Sequence, residues 1–89
     1  MGLFHLGILM MTTRIQDAQT NGLNVTELIE RHEKADWAEM EDYDREQNVQ
    51  AIAKGHRVCS RFIVEPWGPI WVITEADRSV TTVLLPSEY

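Results

Sequence analysis

One cysteine, three prolines and five scattered glycines among 89 residues leave little material for the common chemical sites. Cys59 has no partner for an intramolecular disulfide and lies in a strand-like run, so the expected setting is a reducing one, the cytoplasm. No glycine falls into a Gly-x-Gly-x-x-Gly or Gly-Lys-Ser/Thr element, which excludes a glycine-rich phosphate loop. His32-Glu33 lacks a second histidine four residues on, and His56 with Cys59 supplies two ligands where a structural zinc wants four. No metal and no cofactor is expected. Basic residues are few, 8 Lys and Arg against 14 Asp and Glu, and they form no patch interleaved with aromatics. Direct nucleic-acid binding is therefore not expected. Long apolar runs are absent as well. Leu3 to Met11 is too short to cross a bilayer and has no basic residue ahead of it as an export signal would, so neither membrane insertion nor export is expected. Leu6 stands where a myristoylation motif opening at Gly2 needs Ser or Thr.

What the chain does carry is negative charge in one place. The formal net charge is -6, and Glu27 to Glu46 holds nine acids against Arg31, Lys34 and Arg45. A chain of this length makes one small domain, residues 1–89, burying roughly 60–65% of the surface its unfolded form exposes.

Local signals divide that domain into an extended start, a helical middle and a β-rich end. Residues 3 to 11 read as a buried strand. Thr13-Arg-Ile-Gln16 has the form of a capping box opening a short helix that Asn21-Gly22 closes. Asn24 caps a second helix, with Glu27 near the positive end of its dipole. That helix places Val25, Leu28, Ile29 and His32 on one face, and Glu27–Arg31 and Glu30–Lys34 are spaced for i, i+4 pairing outside. His32 on an apolar face reads as a hydrogen-bonded boundary histidine. A third helix runs from about Asp42 to Lys54, with Val49, Ile52 and Ala53 inward and Gly55 as its stop. From Arg57 the period changes to two, and the turns at 67–69 and 75–78 separate three strands, the last ending at Pro86. The predicted fold is α+β: an N-terminal strand, two or three short helices, then a three-stranded antiparallel meander covered by helices on one face, with the first strand adding at an edge or pairing between.

Trp37, Asp44, Asn48, Gly55, Arg57, Ser60 and above all the closing run from Ile70 to Pro86 resemble a family of small plasmid-related proteins carried on bacterial mobile elements. The family pattern has Gly-Asp-Trp where this chain has Ala35-Asp36-Trp37, and a longer polar turn in place of residues 65–69. The resemblance implies a genetic setting, not a mechanism, and brings no established catalytic site to carry over.

Candidate chemistry is correspondingly thin. Cys59 in an alternating strand behaves as a small hydrophobe rather than a nucleophile. Glu75 and Asp77 have the composition of an acid–base pair with Arg78 as an anion holder, yet acids between two strands are also turn formers, with Arg78 pairing to a carboxylate across the hairpin. Trp67, in a proline-bounded turn, is an aromatic contact candidate. The acids Glu30, Glu33, Asp36, Glu39, Glu41, Asp42 and Asp44, together with Trp67, Asp77 and Arg78, form the predicted partner-binding set. Charge runs on helices are usually solvated faces; the alternative is a surface that imitates phosphates and meets a basic protein. Three readings stay open in the mobile-element setting. The first is a non-enzymatic protein that inhibits a host defence system, an anti-CRISPR or anti-restriction factor binding a basic nuclease or defence complex. The others are a homodimeric accessory protein joined through a β edge, and a small ribonuclease toxin.

Overall fold

The structure, a computed structural model, describes residues 2–89. Its elements follow as β1 (Ile8–Met11), α1 (Thr13–Thr20), α2 (Val25–Glu33), α3 (Asp42–Lys54), β2 (Val58–Val64), β3 (Gly68–Thr74), β4 (Val80–Leu84) and a closing 3-10 turn at Pro86–Glu88. The α+β class matches the sequence reading, and β2, β3 and β4 run as an antiparallel meander, but the sheet as a whole is larger and mixed. It has four strands in the order β1-β4-β3-β2 and is mixed: β2, β3 and β4 alternate antiparallel, while β1 lies parallel to β4, with Ile8 opposite Val80 and Met11 opposite Val83. Three helices and two strands separate β1 from β4 in the chain, so no hairpin constrains their relative direction.

The helices cover one face. Ile15 and Ala18 of α1, and Val25 and Leu28 of α2, close on Phe62, Ile70, Val72 and Val83, all of them buried. A second cluster joins Trp37 and Met40, from the α2–α3 connection, to Ala51 and Val58. Alternation along the strands puts Ile8 and Met10, Val80 and Thr82, Trp71 and Ile73, and Cys59, Arg61 and Ile63 on the opposite face. None of these residues belongs to either core cluster. Tyr89 reaches back over that face, edge-on to Trp71 with ring centroids 5.6 Å apart and bonded through its hydroxyl to Arg57.

Helix termini explain most boundaries. Asn24 accepts the Glu27 amide at 3.0 Å and opens α2 as its side chain predicts. Gly55, at φ +72°, stops α3 in the left-handed region that suits glycine. For α1 the cap is Thr12, whose hydroxyl accepts the Ile15 amide, so the expected box at Thr13 is displaced by one residue.

Several side-chain expectations fail for identifiable reasons. Residues 3–11 are not a buried strand: pairing begins at Ile8, after a left-handed Gly7, and Ile8, Leu9 and Met10 are exposed because β1 is an edge strand. In α3 the inward residues are Asn48 and Ala51, while Ile52 is half-buried and Val49 and Ala53 are exposed. This helix lies along the outer edge of β2 instead of across the face, and the Asn48 amide makes the contact: its Nδ2 donates to the Cys59 carbonyl at 2.7 Å and its Oδ1 accepts the Cys59 amide at 3.1 Å. One side chain thus presents β2 with the donor and acceptor that a neighbouring strand would. The expected Glu27–Arg31 and Glu30–Lys34 pairs are not formed among the described residues, because Arg31 turns to Asp36 and Glu39 beyond the helix end.

Candidate functional site

The strongest concentration of polar chemistry lies inside the core. His32, Ser60, Thr74 and Thr81 have no exposed surface. Trp37 Nε1 lies 2.7 Å from Ser60 Oγ, Ser60 Oγ 2.6 Å from His32 Nδ1, His32 Nε2 2.7 Å from Thr74 Oγ1, and Thr74 Oγ1 2.6 Å from Thr81 Oγ1; the Thr81 hydroxyl donates to the Leu6 carbonyl at 2.7 Å. The two ends fix every direction between them. A carbonyl only accepts, so Thr81 spends its proton on Leu6 and must accept from Thr74; Thr74 must then accept from His32, which places the ring proton on Nε2. At the other end an indole only donates, so Ser60 accepts from Trp37, and a neutral ring with its proton on Nε2 takes the Ser60 hydroxyl proton at Nδ1. A doubly protonated ring would leave the Ser60 hydroxyl proton without an acceptor in this chain. Burial, reinforced by the positive charge of Arg78, accordingly pulls the His32 pKa from 6.5 down to about 3. His32 is thus neutral, and fully interior rather than at the boundary.

A serine, a histidine and a third hydroxyl in line have the connectivity of a nucleophile, a base and an orienting group. Here they cannot act as one. Ser60 and His32 are sealed from solvent, and Phe4 packs edge-on against the imidazole with centroids 5.1 Å apart. The chain of hydroxyls is a structural seam joining α2 and the Trp37 corner to the middle of the sheet. Sequence spacing showed His32 on an apolar face; Ser60, Thr74 and Thr81 were missed because their alternation with apolar neighbours on strands is the only local signal they leave.

The predicted acidic set is dispersed. Arg31 gathers Asp36, at 3.1 Å, and Glu39, which it holds with two bonds of 3.1 and 2.6 Å. The Arg31 bond holds the Glu39 carboxyl below its ordinary range against the opposing effect of burial. Asp42 is almost fully exposed and pairs with Arg45. Asp44 reaches Arg61 of β2 at 3.0 Å. Glu33 is partly buried, its main-chain carbonyl accepting the Leu3 amide. Glu30 and Glu41 are exposed, as are Glu27 and Glu46, and none of these four makes an ion pair with a described residue.

Trp67 and the Asp77–Arg78 tip do not share a surface. They occupy the β2–β3 and β3–β4 turns, which a meander places at opposite ends of the sheet. Trp67 is half-buried against the main core cluster, so its ring is largely packing. Asp77 accepts the Ser79 amide at 3.0 Å, which holds its carboxyl below the usual range. Arg78, at φ +61°, pairs with no carboxylate, contrary to the sequence reading: its guanidinium donates to the carbonyls of His56 at 2.6 Å, Glu75 at 3.2 Å and Ala51 at 3.3 Å. A cation there bonds one carbonyl in the last turn of α3 and one just beyond the helix, and ties that helix end to the last hairpin.

A polar hollow of about 290 Å³ lies between α3 and β2, lined in part by Asp44, Asn48, Arg57, Cys59 and Arg61. Its charges are already matched, Arg61 with Asp44 and Arg57 with Glu75 at 3.3 Å. Burial raises the Cys59 thiol pKa, an effect Arg61 only partly opposes, which leaves the sulfur a poor nucleophile. Among the described residues no three His, Cys, Asp or Glu side chains gather as a metal site, and no helix is long and apolar enough to cross a membrane. Comparison with known protein families, curated proteins and solved structures gives no match.

Proposed function

We propose that this chain is a non-enzymatic interaction protein whose exposed acids on α2, on α3 and at the Glu41 N-cap of α3 engage a basic protein partner. A nuclease or defence complex would be such a partner in the mobile-element setting that the closing hairpin suggests. The observation that carries the reading is the contrast between a sealed, internally satisfied polar core and a surface where Glu27, Glu30, Glu41 and Glu46 stand exposed without ion-pair partners among the described residues. Asp36, Glu39 and Asp44 contribute less, because Arg31 and Arg61 already neutralise them. Attraction of this kind steers encounter and weakens with salt, since the screening length falls from about 10 Å at 0.1 M to about 3 Å at 1 M.

The test is capture of partners from host lysate by the tagged protein and by a Glu30→Lys/Glu41→Lys/Glu46→Lys variant. These positions support none of the fold's ion pairs, and their reversal cancels the formal charge of -6. A basic partner retained at low salt, released at high salt and not retained by the folded variant is the expected result. Equal capture by the variant, or no salt-sensitive partner at all, overturns the reading.

A further inference from the structure

The two edges of the sheet are treated differently. The β2 edge is flanked by α3, whose Asn48 amide pairs both backbone groups of Cys59 and whose Asp44 reaches the Arg61 side chain. Among the described residues no strand lies beyond the β1 edge, since β1 ends the strand order. The Ile8 amide donates to Ser79 and the Thr12 amide to Val83, which sets the phase of the parallel ladder: Ile8, Met10 and Thr12 turn their backbone groups toward β4, and Leu9 and Met11 turn theirs away. Of those outward groups, only the Met11 carbonyl has a partner among the described residues, the Gln16 side chain at 3.3 Å. Natural edges usually carry charge, proline or a covering element. This one carries Ile8, Leu9 and Met10, exposed at 69%, 53% and 54%.

From this asymmetry we propose that β1 pairs antiparallel with β1 of a second copy, giving a two-fold dimer whose sheets join edge to edge. Charge selects a second copy as the occupant. Leu3 to Thr13 contains no Asp, Glu, Lys or Arg, so two such edges meet without like-charge repulsion. The acidic α3 lies along β2, at the far side of the sheet, so the dimer keeps the two negative surfaces apart. The blocked β2 edge supplies closure. Each copy offers one free edge, so a symmetric pair uses both and growth stops at two. In the register centred on Met10, the Leu9 amide meets the Met11 carbonyl of the second copy and the Met11 amide its Leu9 carbonyl, and the reciprocal pair makes four bonds. The interface stands independently of the acidic surface, and its dependence on salt has the opposite sense.

Sedimentation equilibrium of the full chain across micromolar concentrations tests it. The expected mass at the upper end is twice that of the 10.3 kDa chain, undiminished at 1 M salt. Leu9→Pro removes an amide proton that β4 does not use, and should raise the dimer dissociation constant about tenfold or more while the fold persists by circular dichroism. If the proline variant does not fold, Ile8→Lys/Met10→Lys places like charges across the pairing and should give monomer. A chain that stays monomeric throughout, a folded variant of either kind that still dimerises like the parent, or open-ended growth beyond two copies overturns the proposal.

Discussion

Acid should destabilise this protein well before its carboxylates titrate, because His32 is held neutral. The perturbation is a change from pH 7 to pH 5. In the folded chain the His32 pKa is about 3, against 6.5 for the free imidazole. A difference of one pKa unit is worth about 1.4 kcal/mol, so the preference for the neutral ring contributes on the order of 5 kcal/mol at neutral pH. The sign follows from which state binds the proton. A depressed histidine takes it up on unfolding, so the contribution is complete above 6.5 and declines as pH falls, until the folded ring itself protonates near 3. At pH 5 the loss is about 2 kcal/mol, a roughly thirtyfold shift toward the unfolded state in a domain whose total is about 5–15 kcal/mol. The Glu39 contribution, from a carboxyl held below its ordinary 4.5, fades only beneath this window. Urea titrations followed by tryptophan fluorescence at half-unit pH steps give the slope, and Trp37, bonded to Ser60, is a reporter inside the network. His32→Gln retains a donor and an acceptor but cannot titrate, and should flatten the profile between pH 7 and 5. A flat profile in the parent, or an unchanged slope in His32→Gln, refutes the reasoning.

Two further outcomes follow from the edges of the sheet. Asn48→Ala should cost about 1–3 kcal/mol, because the Cys59 amide and carbonyl lose their partners, and it should convert a closed dimer into larger assemblies by freeing a second edge; urea unfolding and sedimentation read the two effects separately. Gly7→Ala should lower the melting temperature by several degrees and loosen β1, since φ is +68° and a Cβ would run into the main chain of Arg78 and Ser79; hydrogen exchange at the Ile8 amide, which donates to Ser79, locates the damage.

The parts of the fold legible in sequence were those set by neighbours in the chain. Asn24 before Val25, Gly55 after Lys54, and the turn residues at 75–78 act within a few positions of themselves, and their elements stand where expected. What sequence left hidden was decided by tertiary placement. Helical spacing in α3 suggested Val49 as an inward position, but the helix runs beside a strand edge, where an amide that completes a ladder outranks an aliphatic side chain. Apolar residues 8–10 suggested burial, yet an edge strand exposes what a central strand would cover. Of the candidate site, His32 was recognisable as a hydrogen-bonded histidine, but its partners lie 28 and 42 positions away and no local rule links them. Of the acids, Glu30 and Glu33 lie in α2 and Asp42 and Asp44 in α3, but Asp36, Glu39 and Glu41 fall in the connection between them, and which acids remain uncompensated depended on where Arg31 and Arg61 reached.

The seam from Trp37 to Leu6 also bears on why the interior has a single arrangement. Rows of hydroxyls ordinarily retain two equivalent orientations, as in ice, and keep a residue of entropy from protons that run either way. Here an indole that only gives and a carbonyl that only takes stand at opposite ends. Reversal of any one member would strand a proton, so the row has one orientation and its bonds polarise in the same sense. A core with a single proton arrangement is hard to deform by degrees: it holds as a unit.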